Sequence, residues 1–213
     1  MKRTPSTSAT SRSTMASDPA LPGTLLSVRS GAGEGCLRLV LATGEGSAVF
    51  PVSEAFYLSL GSPAAGTLLS EDEIERITAH AAYRRALASA LSSLAAGDLS
   101  RRDLYLKLRR KGHSADAANA AVSEVLRLGY LREGDAAKRL CARCAEKGWS
   151  RKKTYAYLSS RGYSAAVISR AISACEDAGE ADFDANRAEM RRKLEERGLS
   201  PDEVRRALWR AGF

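Results

Sequence analysis

The chain repeats itself at an interval of fifty residues, and this repeat limits its possible folds more than any other feature. Residues 100–112 and 150–162 each begin with serine, carry a leucine at the ninth position and end with glycine. A third, partial copy occupies residues 191–200. Repeats of this length fold as stacked helical units, because one copy is too short to bury its apolar face alone. Such an array favours a binding protein over an enzyme.

Within each copy the pattern predicts helices with well-marked ends. Ser100 and Ser114 are suited to cap helix starts, and Gly112 and Gly129 to end helices; the second copy keeps this order fifty residues later. With a longer helix in front, each unit is expected to contain three helices. The predicted structural core of the two copies consists of Leu104, Leu108, Val122, Leu126, Leu158, Ile168 and Ile172.

The third unit is predicted to be shortened. In the second unit 21 residues separate Gly129 from Ser150, whereas only 7 separate Gly179 from Asn186, which we take as the equivalent of Ser150. This unit is therefore expected to have lost about one helix. Ser200, followed by proline and, three residues on, by glutamate, predicts a strong helix start.

The fold class is therefore mainly α: an elongated array of three-helix repeats with a small β-rich N-terminal cap. Residues 23–52 contain three apolar runs separated by glycine-rich turns, which predict strands. The predicted organisation is a disordered Ser/Thr-rich tail (1–22), a β-rich domain (23–69), a first repeat (70–131), a second repeat (132–180) and a truncated third repeat (181–213).

The positive charge is concentrated in one part of the chain. The net charge is +8, but residues 101–153 alone carry 15 lysines and arginines against 6 acidic residues. The segments on either side are close to neutral, with 8 basic against 9 acidic residues in 1–100 and 10 against 10 in 154–213. A local basic patch indicates an anionic partner, either nucleic acid or an acidic protein surface. A solvated, arginine-rich helix face remains the structural alternative.

The four cysteines predict neither a disulfide framework nor a metal site. Cys141 and Cys144 have the spacing of half a zinc site, but no second pair supplies the other ligands. Residues three apart share one helix face, so apolar packing is the preferred interpretation. Free cysteines and the absence of an apolar signal-peptide core at the start of the chain favour a cytoplasmic protein. No cofactor is expected.

Motifs in the middle of the chain resemble those of the RecX family of recombinase regulators. They are residues 128–131 (Leu-Gly-Tyr-Leu), 135–140 (Asp-Ala-Ala-Lys-Arg-Leu), 147–151 (Lys-Gly-Trp-Ser-Arg) and 158–163 (Leu-Ser-Ser-Arg-Gly-Tyr). The resemblance covers about residues 71–213. It implies an all-helical array of three-helix units that binds the filament of RecA on single-stranded DNA and restrains recombinase, ATPase and co-protease activity, thereby modulating DNA repair and the SOS response.

The basic segment supplies the candidate contacts for such a partner. Cations would meet phosphates or acidic groups, and exposed aromatic rings would stack on bases or pack against protein. Trp149 and Tyr155 are expected in the core, whereas Tyr105 and Tyr157 are candidate contacts. The full candidate set is Arg101, Arg102, Lys107, Arg109, Arg110, Lys111, Lys138, Arg139, Arg143, Arg151, Lys152, Lys153, Tyr105 and Tyr157.

The sequence leaves one alternative function open and disfavours another. A sequence-tolerant DNA-binding protein acting without RecA is the main alternative, since the helices beginning at Ser114 and Ser164 are poor in base-reading side chains near their starts, which disfavours specific reading of a duplex. An enzyme is disfavoured, because the chain has two histidines, His80 and His113, and no nucleophile, P-loop or dinucleotide motif. The expected partners are the RecA filament and single-stranded DNA, with non-specific duplex binding left open, no membrane, and a monomeric protein.

Overall fold

The computed structural model describes residues 21–213, which form three strands and nine helices. The chain is mainly helical with a small β-sheet towards its N-terminus, which confirms the predicted fold class. The predicted disordered tail lies almost wholly outside the described residues. Two compact units are present, one ending at Thr78 and the other running from Ala79 to Phe213, and each is described by itself.

The first unit is built on a three-stranded antiparallel sheet. Strands β1 (Leu25–Ser30), β2 (Cys36–Thr43) and β3 (Gly46–Ser53) pair in the order β1-β2-β3, and the short helix α1 (Glu54–Ser59) follows. Alternate residues of a strand face opposite sides of a sheet, and the sheet buries one side. The buried apolar residues of this unit are Leu25, Leu39, Leu41, Ala42, Val52, Leu69 and Ile77.

The second unit contains the repeats. Helix α2 (Glu71–Ala95) includes the boundary between the two units, and its residues from Ala79 onward belong to the second. The helices that follow are α3 (Arg101–Arg110), α4 (Ala115–Arg127), α5 (Glu133–Glu146), α6 (Arg151–Ser160), α7 (Ala165–Asp177), α8 (Phe183–Glu196) and α9 (Pro201–Arg210). We call α2–α4 repeat 1, α5–α7 repeat 2, and α8 with α9 repeat 3.

The serine caps explain why the helices start at a fifty-residue interval. Ser100 and Ser150 accept hydrogen bonds from backbone N–H groups three residues on, at 3.0 Å and 3.2 Å, and begin α3 and α6. Ser114 and Ser164 do the same for α4 and α7. Each cap satisfies an amide that the first turn of a helix leaves without a partner. Ser200 begins α9 in the same register, in a capping box with the Glu203 carboxylate.

Each of the first two repeats has its own apolar core. Six of the seven residues predicted for the core are buried: Leu104, Leu108, Val122, Leu158, Ile168 and Ile172. The prediction for Leu126 is wrong, because this side chain is 38% exposed. Its neighbour Val125 is fully buried instead. Successive residues of a helix point about 100° apart, so Val125 faces the core with Val122 and Leu126 lies beyond its edge.

The register predicted for the third repeat is also wrong. Asn186 lies inside α8 and is not the equivalent of Ser150; that position belongs to Ser200. Helix α8 starts fifty residues after α5, so repeat 3 has counterparts of the first two helices of repeat 2. The Asn186 side chain instead donates hydrogen bonds to the carbonyl oxygens of Ala145 (3.0 Å) and Trp149 (3.2 Å), and thereby joins repeats 2 and 3.

Candidate functional site

The second helix of every repeat presents the same face to solvent. In α3, α6 and α9 the fourth and eighth residues are buried and the last two are exposed. A spacing of four places both buried side chains on one face, so most of the remaining positions face outward. The buried pairs are Leu104 and Leu108, Thr154 and Leu158, and Val204 and Leu208.

These second helices meet end to end. The Ser100 hydroxyl, buried at the start of α3, donates a hydrogen bond to the carbonyl oxygen of Arg161 at the end of α6 (2.6 Å). The Ser150 hydroxyl makes the same bond to Ala211, at the end of α9 (2.9 Å). Both bonds join residues 61 positions apart. We refer to α3, α6 and α9, joined in this way, as the second-helix row.

Glycine allows the helix ends to approach this closely. Gly162 has a φ of +83°, and a Cβ atom at this position would lie 2.7 Å from the Cβ of Arg102. Gly212, at the other junction, has a φ of +84°, and its Cβ would lie 2.9 Å from the Ser150 hydroxyl. An ion pair between Arg161 and Asp103 (3.0 Å) closes the first junction further. The row therefore depends on two glycines and two buried serines.

Four of the twelve candidate cations are already paired with carboxylates. Arg139 binds Asp98 (Nε to Oδ2, 2.9 Å), and Arg143 reaches the same carboxylate at 3.6 Å. The hydrogen bond from Arg139 is the main cause that lowers the pKa of Asp98. Lys138 pairs with Glu180 (3.0 Å) and Arg151 with Glu176 (3.4 Å). A polyanion would have to compete with these carboxylates.

The other eight candidate cations make no ion pair within residues 21–213. All of them lie on the second-helix row: Arg101, Arg102, Lys107, Arg109, Arg110, Lys111, Lys152 and Lys153. Seven are exposed, and Lys107 is half-buried. The predicted contact cations that remain free of ion pairs are thus confined to α3, its C-terminal cap and the first turn of α6.

The aromatic candidates occupy less open positions. Tyr105 is half-buried against the core of repeat 1. Tyr157 is half-buried and packs edge to face against Trp149, with ring centres 5.4 Å apart. Trp149 is half-buried, with the Lys153 ammonium 4.3 Å from its ring centre. The expectation that Tyr155 lies in the core is wrong, because it is 38% exposed and points outward from α6.

The predicted contact set omits the most exposed aromatic residue among those described, Trp209. Trp209 on α9 is 74% exposed, and it shares a shallow groove with Leu199, Glu203, Arg206 and Arg210. The fifty-residue register could have revealed its exposure, because its equivalents in the other repeats are the polar residues Arg109 and Ser159.

Three of the four cysteines are buried in repeat 2, and Cys36 is half-buried at the start of β2. Cys141, Cys144 and Cys175 are buried, and the Cys175 thiol donates a hydrogen bond to the carbonyl oxygen of Lys138 (3.3 Å). Burial raises the pKa of the Cys141 thiol. No cluster of three or more potential metal ligands occurs in the part of the chain that the structure describes. No helix there is long and apolar enough to cross a membrane.

Comparison with known proteins gives a structural likeness without a sequence match. No protein-family model matches the chain, and no curated protein does. The crystal structure of the regulatory protein RecX superposes with a TM-score of 0.69 at 16% identity, covering 89% of this chain and 94% of that one. RecX from Lactobacillus salivarius gives a TM-score of 0.43 at 13% identity, over 62% of this chain and 97% of the other. The first of these establishes a RecX-like fold, as the sequence motifs predicted.

Proposed function

We propose that this protein regulates a RecA-type recombinase by binding the filament that RecA forms on single-stranded DNA. It restrains the recombinase, ATPase and co-protease activities of the filament, and through them DNA repair and the SOS response. The RecX-like fold and the motifs of residues 128–163 support this proposal. The protein acts in the cytoplasm as a monomer and performs no catalytic step.

The eight unpaired cations of the second-helix row are the observation that carries the proposal. Six of them belong to α3 and its cap, and two to the first turn of α6, so the α3–α6 junction brings both groups onto one row. A filament on DNA offers phosphates and acidic side chains at regular intervals, and a row of cations meets several of them at once. Each phosphate of single-stranded DNA that is neutralised contributes about −0.7 to the dependence of log K on log salt.

The four paired cations have a structural function in this proposal. Arg139 and Arg143, on α5, are anchored to Asp98 in the connection between α2 and α3. This contact links repeat 2 to repeat 1 and helps to hold the row in register. We therefore expect substitutions of Arg139 to act through stability, and substitutions of the α3 cations to act through binding.

The deciding experiment is a titration of RecA with this protein, measuring ATP hydrolysis that depends on single-stranded DNA. Inhibition at protein concentrations well below that of RecA, with weak binding to DNA alone, is the expected result. Salt-sensitive DNA binding with no effect on RecA would instead support the alternative, a sequence-tolerant DNA-binding protein. Absence of both effects would contradict either function.

A further inference from the structure

Trp209 is exposed in a position where neither folding nor helix packing requires a tryptophan. Helix α9 buries Val204 and Leu208 to 3% and 5% exposure, and Trp209 follows on the outward side with 74% of its surface in water. Leaving a large apolar ring in water forgoes the free energy that its burial would provide. A tryptophan exposed to this extent is therefore suited to contact with a partner.

Two arginines beside the ring have no carboxylate partner among the described residues. The Nε–H of Arg206, one turn before Trp209, donates to the carbonyl oxygen of Asp202 (3.3 Å), and that of Arg210 donates to the carbonyl oxygen of Arg206 (3.4 Å). These weak bonds hold the side chains along the helix and leave most guanidinium N–H groups unused. Arg205, by contrast, is paired with Asp202 (2.6 Å).

The acidic residue in this groove is already occupied. The Glu203 carboxylate accepts hydrogen bonds from the Ser200 backbone N–H (2.9 Å) and hydroxyl (2.7 Å). The side-chain and backbone hydrogen bonds from Ser200 lower the pKa of Glu203, and the charge of Arg206 lowers it further, so the carboxylate stays ionised and is held at the start of α9. The groove thus combines one open aromatic face with two arginines that form no ion pair among the described residues, and its one carboxylate is directed to Ser200.

The groove also continues the second-helix row. The end of α9 meets the start of α6, where Gly212 lies against Ser150 and Lys152. Lys152 therefore lies across this junction from the end of α9, the helix that carries Trp209 and Arg210. An aromatic ring between cations along a track is the arrangement that binds unpaired bases and their phosphates. Duplex DNA keeps its bases stacked and offers no free base face to this ring.

We propose that Trp209, Arg206 and Arg210 form a contact for single-stranded DNA, in which Trp209 stacks on an unpaired base and the arginines bind flanking phosphates. This inference rests on the proposed function and extends the predicted contact surface to repeat 3. It makes α9 a part of the DNA track, although its segment of the chain carries no net positive charge.

The test uses the full chain and a fluorescein-labelled oligothymidylate. The chain has two tryptophans, so the difference in emission between wild type and Trp209→Phe reports Trp209 alone. We expect the oligonucleotide to quench this difference signal saturably. Trp209→Ala should weaken binding on the order of tenfold, as for the loss of one stacked base. Arg206→Gln with Arg210→Gln should reduce the salt slope by about 1.4.

Leu128→Ala is the matched control, because Leu128 is an apolar residue with 46% exposure that caps the end of α4 and does not belong to the row. It should bind the oligonucleotide as wild type does. DNA binding with an unchanged Trp209 signal and no effect of Trp209→Ala would overturn the inference and leave the basic row intact. Loss of RecA inhibition in Trp209→Ala with unaltered DNA binding would overturn it in favour of a protein contact. Quenching without any effect on RecA would refute the proposed function alone.

Discussion

At the scale of single residues, repeat 2 differs from its neighbours by burying a tyrosine hydroxyl. Tyr163 is 4% exposed, and its Oη has no hydrogen-bond partner among the described residues. The equivalent position in repeat 3 is Phe213, which has no such group. Burial is the largest cause that raises the pKa of Tyr163, to about 12. The hydroxyl therefore costs stability, and its ionisation would cost more.

The substitution Tyr163→Phe tests this cost through its dependence on pH. The Tyr163 hydroxyl has a pKa near 10 in the unfolded chain and about 12 in the folded protein. The free energy of unfolding of the wild type should therefore fall as the pH rises between these values. The variant should be about 1 kcal/mol more stable at neutral pH, and its advantage should grow above pH 10. Urea unfolding near pH 8 and near pH 11 measures both effects.

The control is Tyr130→Phe, because Tyr130 is 61% exposed and its hydroxyl remains in water. This variant should track wild type across the same pH range. If Tyr163→Phe lost stability in parallel with wild type above pH 10, the buried hydroxyl would not be the titrating group.

At the scale of helices, the junctions of the second-helix row depend on glycines. The repeat supplies a control for one of them, because repeat 1 has an equivalent glycine that lies at no junction. Gly112 and Gly162 occupy equivalent positions and have nearly equal φ angles, +86° and +83°. A Cβ atom would meet nothing within 4 Å at Gly112, but would lie 2.7 Å from Arg102 at Gly162. A side chain at either site would be strained by the positive φ angle, but only at Gly162 would it also collide with a neighbouring helix.

We therefore expect Gly162→Ala to destabilise the protein more than Gly112→Ala. Both variants force alanine into a left-handed conformation, which costs roughly 1 kcal/mol. Only Gly162→Ala also pushes α6 away from α3, at an additional cost of roughly 1–3 kcal/mol. Thermal or urea unfolding of the two variants measures the difference directly. Equal losses would mean that the ends of α6 and α3 separate without cost.

The sequence specified the helices well because their ends are marked locally. Serine caps and terminal glycines are read from neighbouring residues, so the starts of α3, α4, α6 and α7 could be predicted. The register of repeat 3 could not be recovered by comparing Asn186 with Ser150, because Asn186 lies within α8, whose N-cap is Asp182 and not a serine. The local signals around Ser200 were the better guide.

The site was predictable only in part, since its geometry depends on contacts between distant residues. Nothing in the local sequence shows that Asp98 holds Arg139 and Arg143, or that Ser100 meets Arg161. Charge counting therefore grouped paired and unpaired cations together. It also passed over Trp209, because the segment around it carries equal numbers of basic and acidic residues.

At the scale of the whole molecule, basic clusters differ in whether their cations form ion pairs, and not only in how many cations they contain. The three consecutive cations of α8 are engaged with carboxylates on the same helix: Arg191 with Glu195, Arg192 with Glu189 and Glu196, and Lys193 with Glu189. The cations at the end of α3 have no such partners in residues 21–213. Two clusters of three consecutive basic residues thus differ mainly in whether their charges are available.

We expect Arg109→Gln, Arg110→Gln and Lys111→Gln together to weaken binding to single-stranded DNA by roughly tenfold or more and to reduce the salt slope by about 2. The control carries Arg191→Gln, Arg192→Gln and Lys193→Gln, which remove the same number of charges from α8. Fluorescence anisotropy at several salt concentrations measures both. Equal effects of the two triple variants would mean that net charge alone governs binding.

The end-to-end contacts of the second helices also have an electrical consequence. A helix carries partial positive charge at its amino end and partial negative charge at its carboxyl end. At each junction a carboxyl end meets an amino end, so their partial charges offset each other. Only the two outer ends of the row have partial charges that no neighbouring helix end offsets. Asp202 and Glu203 stand at the outer amino end, and Arg109, Arg110 and Lys111 at the outer carboxyl end. The three helices thus act as a single dipole in series, neutralised at each terminus by its own side chains.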